Sequence, residues 1–167
     1  QFGVMGRVLA QVHLGVADPA VGLLNIGEEP GKGRALEKEA HALLAVAPFR
    51  FAGNVEGRDL GKGTADVFVT DGFTGNVLLK AAEGMASSLG RLMLASLSEE
   101  DPTLQAALPA VLPRLAGVRE RFDPDAHGGA HLLGVRGTVV IAHGAASRRG
   151  VANALRLAAE GAEGRLV

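Results

Sequence analysis

The run Asp66-Val-Phe-Val-Thr-Asp-Gly-Phe-Thr-Gly-Asn-Val-Leu-Leu-Lys80 constrains the fold of this chain more than any other stretch. Val67-Phe68-Val69 is short and wholly apolar, which suits a strand covered on both faces, as in a parallel sheet. Asp71-Gly72-Phe73-Thr74-Gly75-Asn76 then collects polar side chains and two glycines where the strand's carboxyl end meets solvent, and a long helical pattern follows. Open α/β sheets bind ligands along that edge. The unpaired amides at a helix start favour an anion there. The stretch predicts an α/β sheet with an anion-handling turn.

The chain before it repeats the pattern. Val21-Gly-Leu-Leu-Asn-Ile26 reads as a buried strand ending in a polar, glycine-rich segment that holds Glu28, Glu29 and Lys32. A helix is expected over 35–47, with Leu36, Ala40, Leu43 and Leu44 inward and Pro48 as its stop. Phe49–Val55 is a further strand, and Glu56-Gly-Arg-Asp59 opens a short glycine-broken helix or turn. Upstream, Met5–Leu14 is helical, with Val4, Val8, Leu9 and Val12 on one face, and Asp18-Pro19 marks a turn. Strands alternating with helices imply a mainly parallel sheet. A chain of 167 residues is expected to form one domain.

Beyond Asn76 the positions Leu78, Ala82, Met85, Leu89, Leu92 and Ser96, all apolar but the last, recur at 4-3-4-3-4 spacing, a seam narrower than a globular core face. Asp101-Pro102 breaks this helix. A second, from Thr103, carries Leu104, Leu108, Val111, Leu112, Leu115 and Val118, and Pro109 and Pro113 are expected to kink or interrupt it. The pair reads as a projecting helical hairpin within 73–120 whose seam wants a partner, such as the four-helix bundle of a homodimer. Leu92, Leu97, Leu104 and Leu108 would face that partner or dip into a lipid surface. Residues 122–129 read as loop, and 132–142 as a short strand, a glycine turn and a longer antiparallel strand. Ser147 is the N-cap of a last helix with Val151, Leu155 and Ala158 or Ala159 inward.

Net charge is −1, which argues against a nucleic-acid binder working through a basic field. With no cysteine, disulfides and thiolate zinc sites are excluded, and an intracellular setting is expected. No apolar run approaches the ~18 residues of a membrane span. His127 and His131 have i, i+4 spacing, but Gly128-Gly129 between them makes a helical metal pair improbable. Gln1-Phe2-Gly3-Val4-Met5-Gly6 resembles the interior of an element, so the chain is expected to be the carboxyl-terminal part of a longer protein.

Five runs carry a family resemblance: Val21–Glu29, Phe51–Asp59, Asp71–Lys80, Gly128–Val135 and His143-Gly144. In this order, and over nearly the whole chain, the sequence resembles the carboxyl-terminal half of the PlsX family, the phosphate acyltransferases of bacterial phospholipid synthesis. It departs from that pattern at Gly128–His131, where proline is usual, and at Ala126-His127, where Glu-Tyr is expected. The resemblance implies acyl transfer from acyl-[acyl carrier protein] to inorganic phosphate, with no cofactor or metal. It implies a Rossmann-like three-layer sheet related to phosphotransacetylase and isocitrate dehydrogenase. It also implies a homodimer, peripheral attachment to the cytoplasmic membrane and a downstream glycerol-phosphate acyltransferase as partner.

That chemistry needs a place for a dianion, donors for a tetrahedral oxyanion and room for an apolar chain. Phosphate is already a nucleophile at neutral pH, so positioning and electrostatics dominate. Asn76 is a neutral donor at a helix start, a position that would equally make it a cap. Lys80 lies one turn on, on the same face, where a solvated lysine is also ordinary. Asp71 is placed to orient Lys80 or to form the turn, while Thr74 and Gly75 complete that turn, Thr74 as a cap. Lys32 is a point charge for phosphate or for the carrier's phosphopantetheine, with Glu28 holding its loop. His143 would donate to phosphate or simply end its strand. Two other readings stay open: phosphotransacetylase-like transfer from coenzyme A, and a non-catalytic dimerisation or membrane-recruitment fragment.

Overall fold

A computed structural model describes residues 1–97 and 102–164, without the side chains of 97, 102–105, 115, 118, 119 and 121. The described chain forms two compact units, one of residues 1–75, 132–139 and 158–164, the other of residues 76–131 and 140–157.

The first unit is built on β1 (Val21–Asn25), buried along its whole length. β1 lies between β2 (Phe51–Glu56) and β3 (Val67–Val69), in the order β2-β1-β3, and pairs parallel with both. Its neighbours occupy both hydrogen-bonding edges and the helices Phe2–Leu14 and Ala35–Ala45 pack against it, so Val21, Leu23 and Leu24 are all core residues. The parallel α/β architecture expected from the apolar runs is the one observed. Asp66 fastens the strand starts: its Oδ2 accepts from Ala20 N at 2.7 Å, and its own N–H donates to Ala20 O at 2.9 Å.

Two helices join the sheet, and in neither is the whole of the expected face buried. In α1 (Phe2–Leu14) the buried residues are Gly3 and Ala10, whereas Val4, Val8 and Val12 are exposed. A Cβ at Gly6 would lie 2.6 Å from Val67 Cγ1, and one at Gly3 would lie 2.9 Å from Leu44 Cδ2 and Phe49 Cζ. The helix thus approaches through a strip without side chains, and larger residues could not share it. In α2 (Ala35–Ala45) only Leu44 is buried, while Leu36 and Leu43 face out. The 3₁₀ turn Gly57–Asp59 stands where the short glycine-broken helix was expected.

The second unit takes α3 (Gly72–Leu97) from Asn76 onward and α4 (Pro102–Arg121). α4 runs through Pro109 and Pro113 without interruption. The segment expected as loop holds a short helix, α5 (Pro124–His127), and β4 (Gly129–His131), which pairs antiparallel with β5 (Val140–Ala142). The antiparallel pairing holds, but the ladder starts before Leu132 and its second strand is short. Asp123 explains the helix: its side chain accepts from Asp125 N at 3.0 Å, and proline occupies the first turn.

α6 (Arg148–Glu163) is capped as expected, Ser147 Oγ accepting from Arg149 N at 3.2 Å. Its start is also tied to α5, since Asp125 Oδ1 accepts from Ser147 N and Asn153 Nδ2 donates to Asp125 O. Val151 and Leu155, expected inward, are exposed, and the buried residues of the helix are Gly150 and Gly161.

Candidate functional site

Because β1, β2 and β3 run parallel, they end together at Asn25, Glu56 and Val69, so the segments 26–34, 57–66 and 70–75 leave the first unit's sheet from one edge. This is the edge at which such sheets bind ligands. Two buried amides organise it. Asn25 Nδ2 donates to Lys32 O at 3.2 Å, and Asn54 Nδ2 donates to Glu29 O at 2.7 Å. Gly33 adopts a left-handed φ of 86°, and a Cβ there would lie 2.7 Å from Asn25 Oδ1.

The edge is rich in charge and its cations are paired. Arg58 Nε meets Glu56 at 2.6 Å, and its Nη2 meets Glu28 at 3.5 Å. Lys62 Nζ meets Asp59 at 3.0 Å. Arg34 binds Glu37 and reaches Asp71 Oδ2 at 2.8 Å. Lys32 has the loosest partner, Glu29 Oε2 at 3.9 Å, and is half exposed. An anion arriving at this edge has least to displace at Lys32, since an exposed pair of that length is worth little.

Asp71 immediately precedes α3 and is its N-cap. Its Oδ1 accepts from Thr74 N at 2.8 Å, its Oδ2 accepts from Thr74 Oγ1 at 2.7 Å, and Asp71 O accepts from Gly75 N at 2.9 Å. These Thr74 bonds, followed by the Arg34 guanidinium, hold the Asp71 carboxyl down at about 2. The Glu37 carboxylate, followed by that of Asp71, raises the Arg34 guanidinium above its ordinary range. The turn-forming role expected for Asp71 is therefore the one seen, and Lys80 is not its partner: Lys80 Nζ pairs with Glu83 at 2.9 Å. Neither Asn76 nor Thr74 is the cap. Thr74 supplies the amide and hydroxyl that Asp71 receives, and Asn76 lies in the following turn, exposed.

Glu28 holds Arg58, in keeping with a loop-fastening role. Gly75 packs closely, for a Cβ there would lie 2.8 Å from Thr70 Cγ2. His143 follows β5, exposed, and its Nδ1 accepts from Ala145 N at 3.2 Å. On α3, Met85, Leu89 and Leu92 are 76%, 60% and 66% exposed. Leu108 is half-buried, and the side chains of Leu97 and Leu104 lie outside the described residues. Sequence reasoning missed Arg34, Asn25, Asn54 and Asp59. Arg34 carried a signal, since it stands three residues before Glu37, whose carboxylate accepts from Arg34 N at 2.7 Å as half of a capping box.

A family model described as "Fatty acid synthesis protein" matches residues 1–166. The chain belongs to this family. Among curated proteins it is 47% identical over 158 residues to the "Phosphate acyltransferase" of Elusimicrobium minutum, covering 95% of this chain and 46% of that protein. It is 46% identical over 163 residues to that of Heliobacterium modesticaldum, covering 98% of this chain and 48% of the relative. To that of Pelotomaculum thermopropionicum it is 45% identical over 169 residues, covering 100% and 48%. The chain spans about half the length of the curated relatives it matches. The resemblance read from Asp71–Lys80 and its companion runs is thus upheld. Among the described residues of this family member no helix is long and apolar enough to cross a membrane.

Proposed function

We propose that the protein containing this chain transfers a fatty acyl group from an acyl carrier protein thioester to inorganic phosphate. One observation carries the reading: over 95–100% of its length the chain matches relatives named phosphate acyltransferase at 45–47% identity. In the reaction a phosphate oxygen attacks the thioester carbonyl, the carbonyl oxygen takes up the negative charge, and the tetrahedral intermediate expels the carrier's thiolate. The phosphate proton is then available to that thiolate, so no oxidant, metal or cofactor is required.

Lys32 is the cation we assign to the phosphate dianion, since its carboxylate partner is the loosest at the sheet edge. Asn76 is assigned as a neutral donor to the developing oxyanion, with Lys80 one turn on. His143 is kept as a donor to phosphate. Asp71, Thr74, Gly75 and Glu28 act by fixing backbone, because their side chains or close contacts are spent inside the protein. The exposed apolar residues of α3 support a second copy of the chain as partner, or peripheral contact with the cytoplasmic membrane, where a downstream glycerol-phosphate acyltransferase would take up the acyl phosphate.

The test is formation of acyl phosphate by the intact natural protein, supplied in turn with acyl carrier protein and coenzyme A thioesters. The reading expects the carrier-protein donor to be used. Preference for a short-chain coenzyme A thioester would replace it with phosphotransacetylase-like transfer, and no product from either donor would leave a dimerisation or recruitment role.

A further inference from the structure

Lys32 stands on a loop whose backbone is held from beneath at two carbonyls. Asn25, the last residue of β1, donates Nδ2 to Lys32 O at 3.2 Å and accepts from Ile26 N on Oδ1 at 2.8 Å. Asn54, in β2, donates Nδ2 to Glu29 O at 2.7 Å. The two amides are 9% and 5% exposed, so neither is displayed to a ligand in solution. Gly33 completes the arrangement, its left-handed turn lying directly against the Asn25 amide. Asn54 Oδ1 is buried with no hydrogen-bond partner among the described residues, so only the donor end of that side chain is engaged.

We propose that Asn25 and Asn54 are positioning residues that fix the 26–33 loop and thereby aim the Lys32 ammonium at an anion. The proposal rests on the reading of Lys32 as the cation for phosphate. A lysine ammonium is a point charge on a long flexible stem, so the backbone that carries the stem decides where the charge spends its time. Both amides lie in the sheet, and each grips a carbonyl of the loop rather than a side chain. A loop released from them keeps its charges and loses their placement.

Asn54→Leu in the intact natural protein separates positioning from folding. Leucine has a similar volume and removes the engaged donor together with the buried, unpartnered acceptor, so the melting temperature is expected to hold. Trypsin cleavage after Lys32, followed by fragment mass, should speed up roughly fivefold as the loop opens locally. The phosphate KM should rise about tenfold while kcat stays within about twofold. In a Lys32→Ala background the same substitution should add nothing to the phosphate KM, since the two act through one charge.

Additive effects on KM, or an unchanged rate of cleavage after Lys32, would overturn the proposal. If Lys32→Ala by itself leaves the phosphate KM untouched, the assignment of Lys32 falls instead, and the cleavage rate alone decides whether Asn54 holds the loop. Should the leucine variant not accumulate, Asn54→Ser gives the same pattern through loss of reach to Glu29 O.

Discussion

Arg34 Nη2 and Asp71 Oδ2 meet at 2.8 Å, joining the residue before α2 to the residue before α3. The contact couples two helix starts on the same sheet edge. Asp71 caps α3 through Thr74 and also accepts from Arg34, whose Nε and Nη2 donate to Glu37. Removing either residue therefore loosens both turns.

This makes a graded series. Asp71→Ala removes the cap and the ion pair together, and a drop of several degrees in melting temperature is expected. Asp71→Asn keeps a good N-cap side chain and loses only the charge, so it should lie between the wild type and alanine. Arg34→Ala should resemble the asparagine variant. Equal melting temperatures for Asp71→Ala and Asp71→Asn would mean that the cap contributes nothing.

The same carboxylate sets an acid limb. Its folded-state value of about 2 lies below the roughly 3.9 of an unfolded aspartate, so its contribution is complete above that unfolded value and is lost as the pH falls toward about 2. Glu37, Asp59 and Asp125 are lowered as well, by bonds from Arg34, from Glu56 N and Lys62, and from Ser147, and they add to the same limb. Denaturant titrations between about pH 5 and pH 2 should show stability falling with acid, less steeply in Asp71→Asn. Parallel curves for the two proteins would remove Asp71 from the account.

The sheet was legible because Val67–Val69 and Val21–Leu24 are apolar without alternation, which leaves few alternatives to a buried parallel strand. Helix faces were not legible from period alone. Val4, Val8 and Val12 form a proper helical stripe, yet α1 packs through Gly3, Gly6 and Ala10, because close approach to Val67 and Phe49 selects absence of side chain over hydrophobicity. The α3 start was misplaced for another reason. Asp71, Thr74 and Asn76 all have capping side chains, and Arg34, distant in sequence, stands against Asp71. Of the site residues in the recognised runs, Glu28, Asp71 and Lys80 were found, whereas Asp59 passed as part of a turn and the buried amides Asn25 and Asn54 as parts of strands.

Glycine replacement tests the α5–α6 junction. Gly128 has a φ of 80°, and a Cβ there would lie 2.4 Å from Ala154 N and from Asn153 C, both backbone atoms. Gly53 has a φ of 84° with nothing within 4 Å. Gly53→Ala should therefore cost only the left-handed penalty of about 1–2 kcal/mol. Gly128→Ala adds displacement of α6 and should exceed roughly 3 kcal/mol in urea unfolding. Similar costs at the two positions would mean that α6 yields easily.

The exposed seam of α3 predicts a different separation of effects. Leu92→Glu alters a side chain that the described chain leaves uncovered, so its unfolding free energy should change by less than about 0.5 kcal/mol. Self-association and vesicle binding should both be measured, by equilibrium sedimentation and by co-sedimentation with anionic liposomes. One of them should weaken. If neither changes, the seam serves no partner.

Asn76 offers the cleanest test of chemistry, because the structure relieves it of a structural duty. The α3 cap is Asp71, and Asn76 is an exposed residue in the next turn, where alanine is the better helix former by roughly 0.5 kcal/mol. Asn76→Ala should then leave the melting temperature unchanged or slightly raised. If its amide donates to the oxyanion, kcat for acyl phosphate formation should fall by about 10²–10³, with a much smaller change in the phosphate KM, because the bond strengthens as charge develops. Lys80→Ala, which also releases Glu83, should reduce activity less. An Asn76→Ala protein that folds, melts normally and turns over at close to the wild-type rate would take Asn76 out of the reaction and return the Asp66–Lys80 stretch to a purely architectural role.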